Sequence, residues 1–174
     1  MSVPTSRSLV AATLARAAAI GAAGVVVHAG YEMGGGRASG KGSMAARFEE
    51  AAEQLAACDD HPRLAVCLDT CHAHAAGYDL TTPAAATAVL DELVRTVGDR
   101  VPLLHVNDTR DPLGARRDRH WPVGEGEIGD AGFAAVLAHP GLAGAAAVIE
   151  TPGELPEHAR DVARLKRLRP AAPR

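Results

Sequence analysis

Four short apolar runs in this chain of 174 residues end on side chains that bind metal ions. Gly24-Val25-Val26-Val27 runs into His28, and Leu64 to Leu68 runs into Asp69, with His72 three residues further on. Leu103-Leu104 is followed by His105, with Asn107 and Asp108 close behind, and Ala146 to Ile149 is followed by Glu150. Asp118 and His120 add a pair at i and i+2, which on an extended segment project to one side and can grip one ion. Singly, each has a plain explanation. A strand-end His can be a packed core residue, Glu150 before Thr151-Pro152 can cap a turn, and Asp118 with Arg119 can be a solvated pair. Jointly, strands that end one after another on nitrogen and oxygen donors predict a shared metal site at the C-terminal rim of a parallel sheet. Imidazole with carboxylate suits zinc, manganese or iron, whereas closed structural zinc sites favour Cys. Donors from four strand ends suggest more than one ion, and ions about 3.5–4 Å apart activate water and clamp a phosphodiester.

The elements that must position these residues follow from periodicity and punctuation. The Ala-rich stretch from Leu9 to Ile20, with Arg16, predicts a helix that Gly21 and Gly24 stop. A strand over 24–28 follows, then a Gly-rich connection over 29–43. Gly35, Gly40 and Lys41 suggest a phosphate-cradling loop, but Gly42 stands where a Walker motif needs Ser or Thr, so a flexible join is expected. Met44 to Cys58 is amphipathic, with Phe48, Ala52 and Leu55 on one face, and His61-Pro62 breaks it before a strand over 64–69. Thr82 is expected to cap, and Pro83 to begin, a helix that runs to Val97 and ends at Gly98. A strand over 103–107 leads into a polar loop, 108–129, with no secondary structure of its own, and loops of that length are usually functional. Asp130 is expected to cap a short helix to Ala138, before a strand over 146–150 and a last helix over 156–168 that ends basic with Arg164, Lys166 and Arg167. Helix and strand in alternation predict a parallel α/β sheet, in one domain over 1–174.

Composition bounds the reading without deciding it. Hydrophobic residues at 47% predict a globular core, and aromatics at 3% mean that Ala, Val and Leu build it. A chain of 174 residues is short for a full (β/α) barrel, which typically takes about 250. The net charge of −3 does not advertise a nucleic-acid binder, yet Arg110, Arg116, Arg117 and Arg119 crowd one loop and bound divalent ions would reverse the local sign. Cys58, Cys67 and Cys71 form no disulfide framework, which points to a reducing cytoplasm, and Cys67 and Cys71 read as buried small hydrophobes. No signal peptide or membrane-spanning stretch is expected. His61, His74, His139 and His158 read as ordinary structural histidines.

Several ordered motifs carry a resemblance over nearly the whole chain. Cys67-Leu68-Asp69-Thr70-Cys71-His72-Ala73-His74-Ala75-Ala76-Gly77-Tyr78-Asp79 comes first, then His105-Val106-Asn107-Asp108. Asp118-Arg119-His120 with Gly124-Glu125-Gly126-Glu127-Ile128-Gly129 follows, then Ile149-Glu150-Thr151. Together they resemble the endonuclease IV (deoxyribonuclease IV) family of apurinic/apyrimidinic endonucleases. The resemblance implies a (β/α)8 TIM barrel of the xylose isomerase-like type with a trinuclear zinc site, cleaving double-stranded DNA on the 5′ side of abasic sites in base excision repair. It implies that His72, Asp118 and His120 hold one zinc, that Asp69, His105 and Glu150 hold a second, and that His28 serves the remaining one. The attacking group is then metal-bound water, with no protein nucleophile. Arg110, Arg116, Arg117 and Arg119 become candidate DNA contacts, and no protein partner is implied.

The departures from that family are as specific. The chain begins at the helix before the family's fourth strand, so the family's first metal-binding His has no counterpart. The strand between those ending at His28 and Asp69, which in the family closes on a metal-bridging Glu, is expected to be missing too. Gly36 falls where that Glu would lie, and Glu32 is a nearby candidate substitute. The expected fold is therefore a partial barrel of about four parallel strands with flanking helices. A half-barrel exposes strand edges and apolar faces, and the site of His72, Asp118 and His120 is expected to be its most complete. Two further readings stay open: a metal-dependent sugar isomerase or epimerase on a related barrel, and an inactive zinc-binding remnant. Asp118-Arg119-His120 and the Gly-Glu-Gly loop speak against the isomerase, which would also need a Lys or a Glu pair for proton transfer.

Overall fold

Leu64, Val66, Cys67 and Leu68 are wholly buried, as a run without polar alternation requires when both faces of a strand are covered. They form β2 (Leu64–Asp69) in the computed structural model, which describes residues 6–29 and 44–170. β1 (Val25–Ala29) pairs with it in parallel from Val25 opposite Leu64 to Ala29 opposite Leu68. On its other side β3 (Leu103–His105) sets His105 opposite Asp69, and β6 (Ala146–Val148) pairs with β3. The sheet is parallel throughout in the order β1-β2-β3-β6. This is the expected partial barrel of four strands with flanking helices. The strand expected to be missing between β1 and β2 has no place here, since those two bond directly.

Helices make each parallel crossover. α1 (Ser6–Ala19) precedes β1, α2 (Met44–Ala57) joins β1 to β2, and α4 (Pro83–Val97) returns the chain to β3. α5 (Gly129–Ala138) precedes β6 and α6 (Leu155–Leu168) follows it. In α4 the Thr82 side chain accepts from the Ala85 N–H at 3.2 Å with Pro83 in the first turn, as expected. Its buried residues, Ala86, Val89, Leu90, Leu93 and Val97, recur at helical spacing and join the core that holds Leu64, Val66 and Leu68 of β2. Phe48 from α2 stacks on Tyr78 with ring centroids 4.4 Å apart.

Other expectations need correcting. A short helix, α3 (Thr70–Ala76), starts at the end of β2, where only a strand end was expected. The polar loop over 108–129 is not without structure: β4 (Asp108–Thr109) and β5 (His120–Trp121) pair antiparallel inside it. Asp130 does not cap α5; that position is held by Ile128, and the Asp130 carboxylate bonds Arg164 at 2.6 Å. Glu32, Gly36 and the phosphate-loop reading of 35–42 lie outside the described residues. Among the described residues no helix is long and apolar enough to cross a membrane.

β6 is the thin side of the sheet. All three of its residues are exposed, and a groove of about 590 Å³ runs beside it, lined by Leu104, Val136, Val148, Val162 and Leu165 among others.

Candidate metal centre

Asp69 is the residue from which the site is built. It ends β2 in extended conformation and caps α3, its Oδ1 accepting the His72 N–H at 3.0 Å. That cap fixes the carboxylate and, one turn into the helix, the His72 ring. The side chain is fully buried, and its second oxygen, Oδ2, accepts from Asn107 Nδ2 at 3.0 Å. Oδ2 also lies 3.6 Å from His105 Nδ1, 3.7 Å from His120 Nε2 and 4.0 Å from His72 Nδ1.

The other donors close around that oxygen. Asp118 and His120 project to the same side of the chain entering β5, with Asp118 Oδ1 3.0 Å from His72 Nε2 and 3.2 Å from His120 Nε2. Glu150 lies just past β6, with Oε2 3.0 Å from His105 Nδ1. His28 reaches in from β1, its ring 4.8 Å from that of His105 and 5.6 Å from that of His72. Its grouping with Asp69 and His72 has ligand atoms within 4.8 Å of one another, as do the groups His72-Asp118-His120 and Asp69-His105-Glu150. Burial, followed by the neighbouring His105, lowers the His28 pKa below the usual histidine range, which keeps its ring neutral and able to donate a lone pair.

These residues fit a metal on two observations. Buried ring nitrogens of His28 (Nδ1), His105 (Nδ1) and His120 (Nε2) make no hydrogen bond among the described residues. An orphaned buried polar atom costs about 1–3 kcal/mol, and bound metal ions would satisfy these nitrogens. His120 Nδ1 lies 3.1 Å from the Glu150 carbonyl, which can only accept, so Nδ1 donates there and Nε2 is the nitrogen that faces the cluster. The separations agree as well. Zinc bonds of 2.0–2.1 Å in a tetrahedron put neighbouring donors about 3.3 Å apart, and the donor pairs above lie 3.0 to 4.0 Å apart within the two groups and across Asp69 Oδ2. Asp118 and Glu150 are about half exposed, which leaves one side of the cluster open to a substrate.

Sequence reasoning missed the scaffold beneath these donors. Asn107 is fully buried, and besides its bond to Asp69 its Oδ1 accepts the Glu150 N–H at 2.7 Å. Its N–H donates to Thr70 Oγ1 at 2.9 Å, and that hydroxyl donates to the Asn107 carbonyl at 2.6 Å. One amide side chain thus ties two candidate ligands from strands that do not touch. Replacing Asn107 by Ala frees both and should weaken zinc binding about 10- to 100-fold, read by competition with a chromogenic chelator. An unchanged affinity would remove Asn107 from the site.

Asp108 organises the loop. Its carboxylate accepts from the backbone N–H groups of Thr109 and Ile128 on one oxygen and of Gly124, Gly126 and Gly129 on the other, at 2.8 to 3.4 Å. Burial pushes its carboxyl above the usual range, and those N–H groups pull it back. Gly126 is glycine because a Cβ there would run into the Thr109 carbonyl and the Asp108 carboxylate. The Gly-Glu-Gly-x-Ile-Gly motif is therefore a backbone wrap around one carboxylate, and it sets the frame from which Asp118 and His120 project.

The remaining candidates divide. Arg119 makes a two-pronged ion pair with Asp111, joined by Arg117 at 3.8 Å, and Arg110 lies over the Trp121 ring at 5.0 Å. Arg116 takes a positive φ of 54° in an exposed stretch of the loop. Of the histidines read as structural, His139 bonds Asp91, His158 bonds the Thr151 carbonyl and His61 accepts the Arg63 N–H. His74 is buried with neither ring nitrogen hydrogen-bonded among the described residues, and burial lowers its pKa. Cys67 and Cys71 are wholly buried, and burial pushes their thiols up to about 12 and about 11. Both stay protonated at pH 8, so iodoacetamide on the native chain should modify Cys58 alone; mass spectrometry showing Cys67 or Cys71 alkylated would contradict this.

A family model described as xylose isomerase-like TIM barrel matches residues 38–169. A protein named probable endonuclease 4 from Streptomyces coelicolor is 42% identical over 190 residues, covering 90% of this chain and 65% of that protein. Its counterpart from Streptomyces avermitilis is 40% identical over 90% of this chain and 61% of its own length. The crystal structure of endonuclease IV from Thermus thermophilus is 35% identical and superposes with a TM-score of 0.70, covering 94% of this chain and 67% of that one. The chain thus spans a little under two thirds of the two Streptomyces proteins. The Streptomyces coelicolor alignment runs over 190 positions while taking up 90% of the 174 residues here, so about thirty of its positions face no residue of this chain.

Proposed function

The chain belongs to the endonuclease IV family, on the xylose isomerase-like TIM-barrel fold, and from that premise we propose that it is a zinc-dependent phosphodiesterase that cleaves double-stranded DNA 5′ to abasic sites in base excision repair. The observation that carries the proposal is the convergence of His72, Asp118 and His120, and of Asp69, His105 and Glu150, each group with ligand atoms within 4.8 Å of one another on one rim. All are nitrogen or oxygen donors, which suits a metal that handles phosphate. Bound ions would supply Lewis acidity and an activated water, so no nucleophilic side chain is required. The chain's own residues do the rest. Asp69 and Asn107 hold the donors in register across β2, β3 and the end of β6, and Asp108 shapes the loop that presents Asp118 and His120. Half-exposed Asp118 and Glu150 mark the side on which the DNA backbone would lie. Arg110 and Arg116 stand on the same loop as candidate phosphate contacts, and the free cysteines suit a cytoplasmic chain acting as one incomplete barrel domain.

The test is scission of a duplex carrying one tetrahydrofuran abasic analogue. A nick 5′ to the analogue, abolished by a chelator and by His120→Ala, supports the proposal, and activity should fall steeply as salt rises. Metal uptake without scission favours a zinc-binding remnant, and interconversion of a ketose and an aldose without nicking favours a sugar isomerase.

A further inference from the structure

Seven candidate donors are more than one ion needs and too few for three with separate ligand sets. Among the described residues the possible three-ligand groups overlap heavily, and His72-Asp118-His120 with Asp69-His105-Glu150 are two that share no residue. His28 alone is left over. It falls into groups with Asp69 and His72, and with Cys67 and His105, because β1 bonds β2 directly and sets His28 opposite Cys67. The His28 ring lies nearer to that of His105 than to that of His72, 4.8 against 5.6 Å between centroids, which sets it on the His105 side of the cluster.

From this juxtaposition we propose that the chain is organised for two metal ions, not three, with Asp69 Oδ2 shared between them and His28 completing the second. One ion takes His72, Asp118 and His120, with Asp69 as its fourth donor. The other takes Asp69, His105, Glu150 and His28. The seven donors then supply four positions to each ion, with one shared atom. Asp69 Oδ2 is placed for that role at 3.7 Å from His120 Nε2 in one group and 3.6 Å from His105 Nδ1 in the other. Asn107 Nδ2 holds the same oxygen from behind at 3.0 Å. Zinc expands readily from four to five ligands, which leaves room for a substrate oxygen on each ion. The inference rests on the metal-dependent reading above and narrows it to this chain's own donor set.

The experiment is a cobalt(II) titration of the whole metal-stripped chain, followed by elemental analysis of desalted samples and by electron paramagnetic resonance. Binding should saturate at two ions per chain. The signal per cobalt should drop as the second equivalent enters, because a shared carboxylate oxygen couples the two spins. In His28→Ala, one equivalent should keep its affinity while the other weakens at least about tenfold. His28→Asn, which keeps size and polarity, should show the same split if the Ala variant fails to fold by circular dichroism. A third tightly held ion, two ions with additive signals, or a His28 variant with unchanged binding would each overturn the inference. Three ions with abasic-site scission would overturn it and leave the phosphodiesterase standing. Two coupled ions without scission would do the reverse.

Discussion

Asp69→Asn should lower abasic-site scission by at least about a thousandfold at saturating zinc while leaving the fold in place, because one oxygen and one charge are lost at the centre of the cluster. The retained side-chain carbonyl can still accept the His72 N–H and cap α3. The new amide nitrogen replaces Oδ2, the atom within 4.0 Å of His72, His105 and His120. It cannot bind a cation, and it points a donor at the Asn107 amide, which is itself a donor 3.0 Å away. Activity and metal content should fall together, with the far-ultraviolet circular dichroism unchanged. Scission within tenfold of the parent would remove Asp69 from the chemistry.

Asp108→Asn should cost about 3 kcal/mol of stability, read from urea unfolding. An Asn keeps one acceptor oxygen where the native side chain has two. Either two or three of the backbone N–H groups of Thr109, Gly124, Gly126, Ile128 and Gly129 then face an amide donor instead of a carboxylate. Each unpaired buried N–H costs about 1–3 kcal/mol, part of which the loop recovers by relaxing toward water. That relaxation moves the segment carrying Asp118 and His120, so zinc affinity should drop in the same variant even though Asp108 touches no candidate ligand ring. A loss under about 0.5 kcal/mol would mean that the loop holds its shape without the carboxylate.

What could be read from the residues alone depended on how local the cause was. β2 was legible because burial on both faces leaves an unbroken apolar run, and α4 because Thr82 and Pro83 mark its start within two residues. The candidate donors Asp69, His105 and Glu150 could be named because each ends or follows a strand, whereas Asp118 and His120, on the chain entering β5, were named from their i and i+2 spacing. α3 was not: the carboxylate that ends β2 also caps a helix, and residue type does not reveal that second use. β4 and β5 are two residues each, too short for any periodicity. Asp130 looked like a cap, yet the Gly129 N–H is satisfied by Asp108 from 21 positions away. Asn107 escaped for the same reason, since its value lies in bridging Asp69 and Glu150, 38 and 43 positions distant. The direct bonding of β1 to β2 agrees with the expected loss of the strand between them, a loss read from the resemblance and not from the Gly-rich join, which carries no pattern.

Within the four-stranded sheet, strand order follows chain order, each of its strands lying beside the one of that sheet made before it. A sheet of that kind can be laid down progressively as the polypeptide leaves the ribosome, without waiting for a distant segment. Its donor set cannot. His28 comes early and Glu150 near the end, so a nascent chain already holding three of its four strands still lacks one arm of the cluster. A metal ion captured at that stage would sit in an unfinished cage and exchange readily, and tight retention would begin only once Glu150 has left the ribosome and joined the sheet.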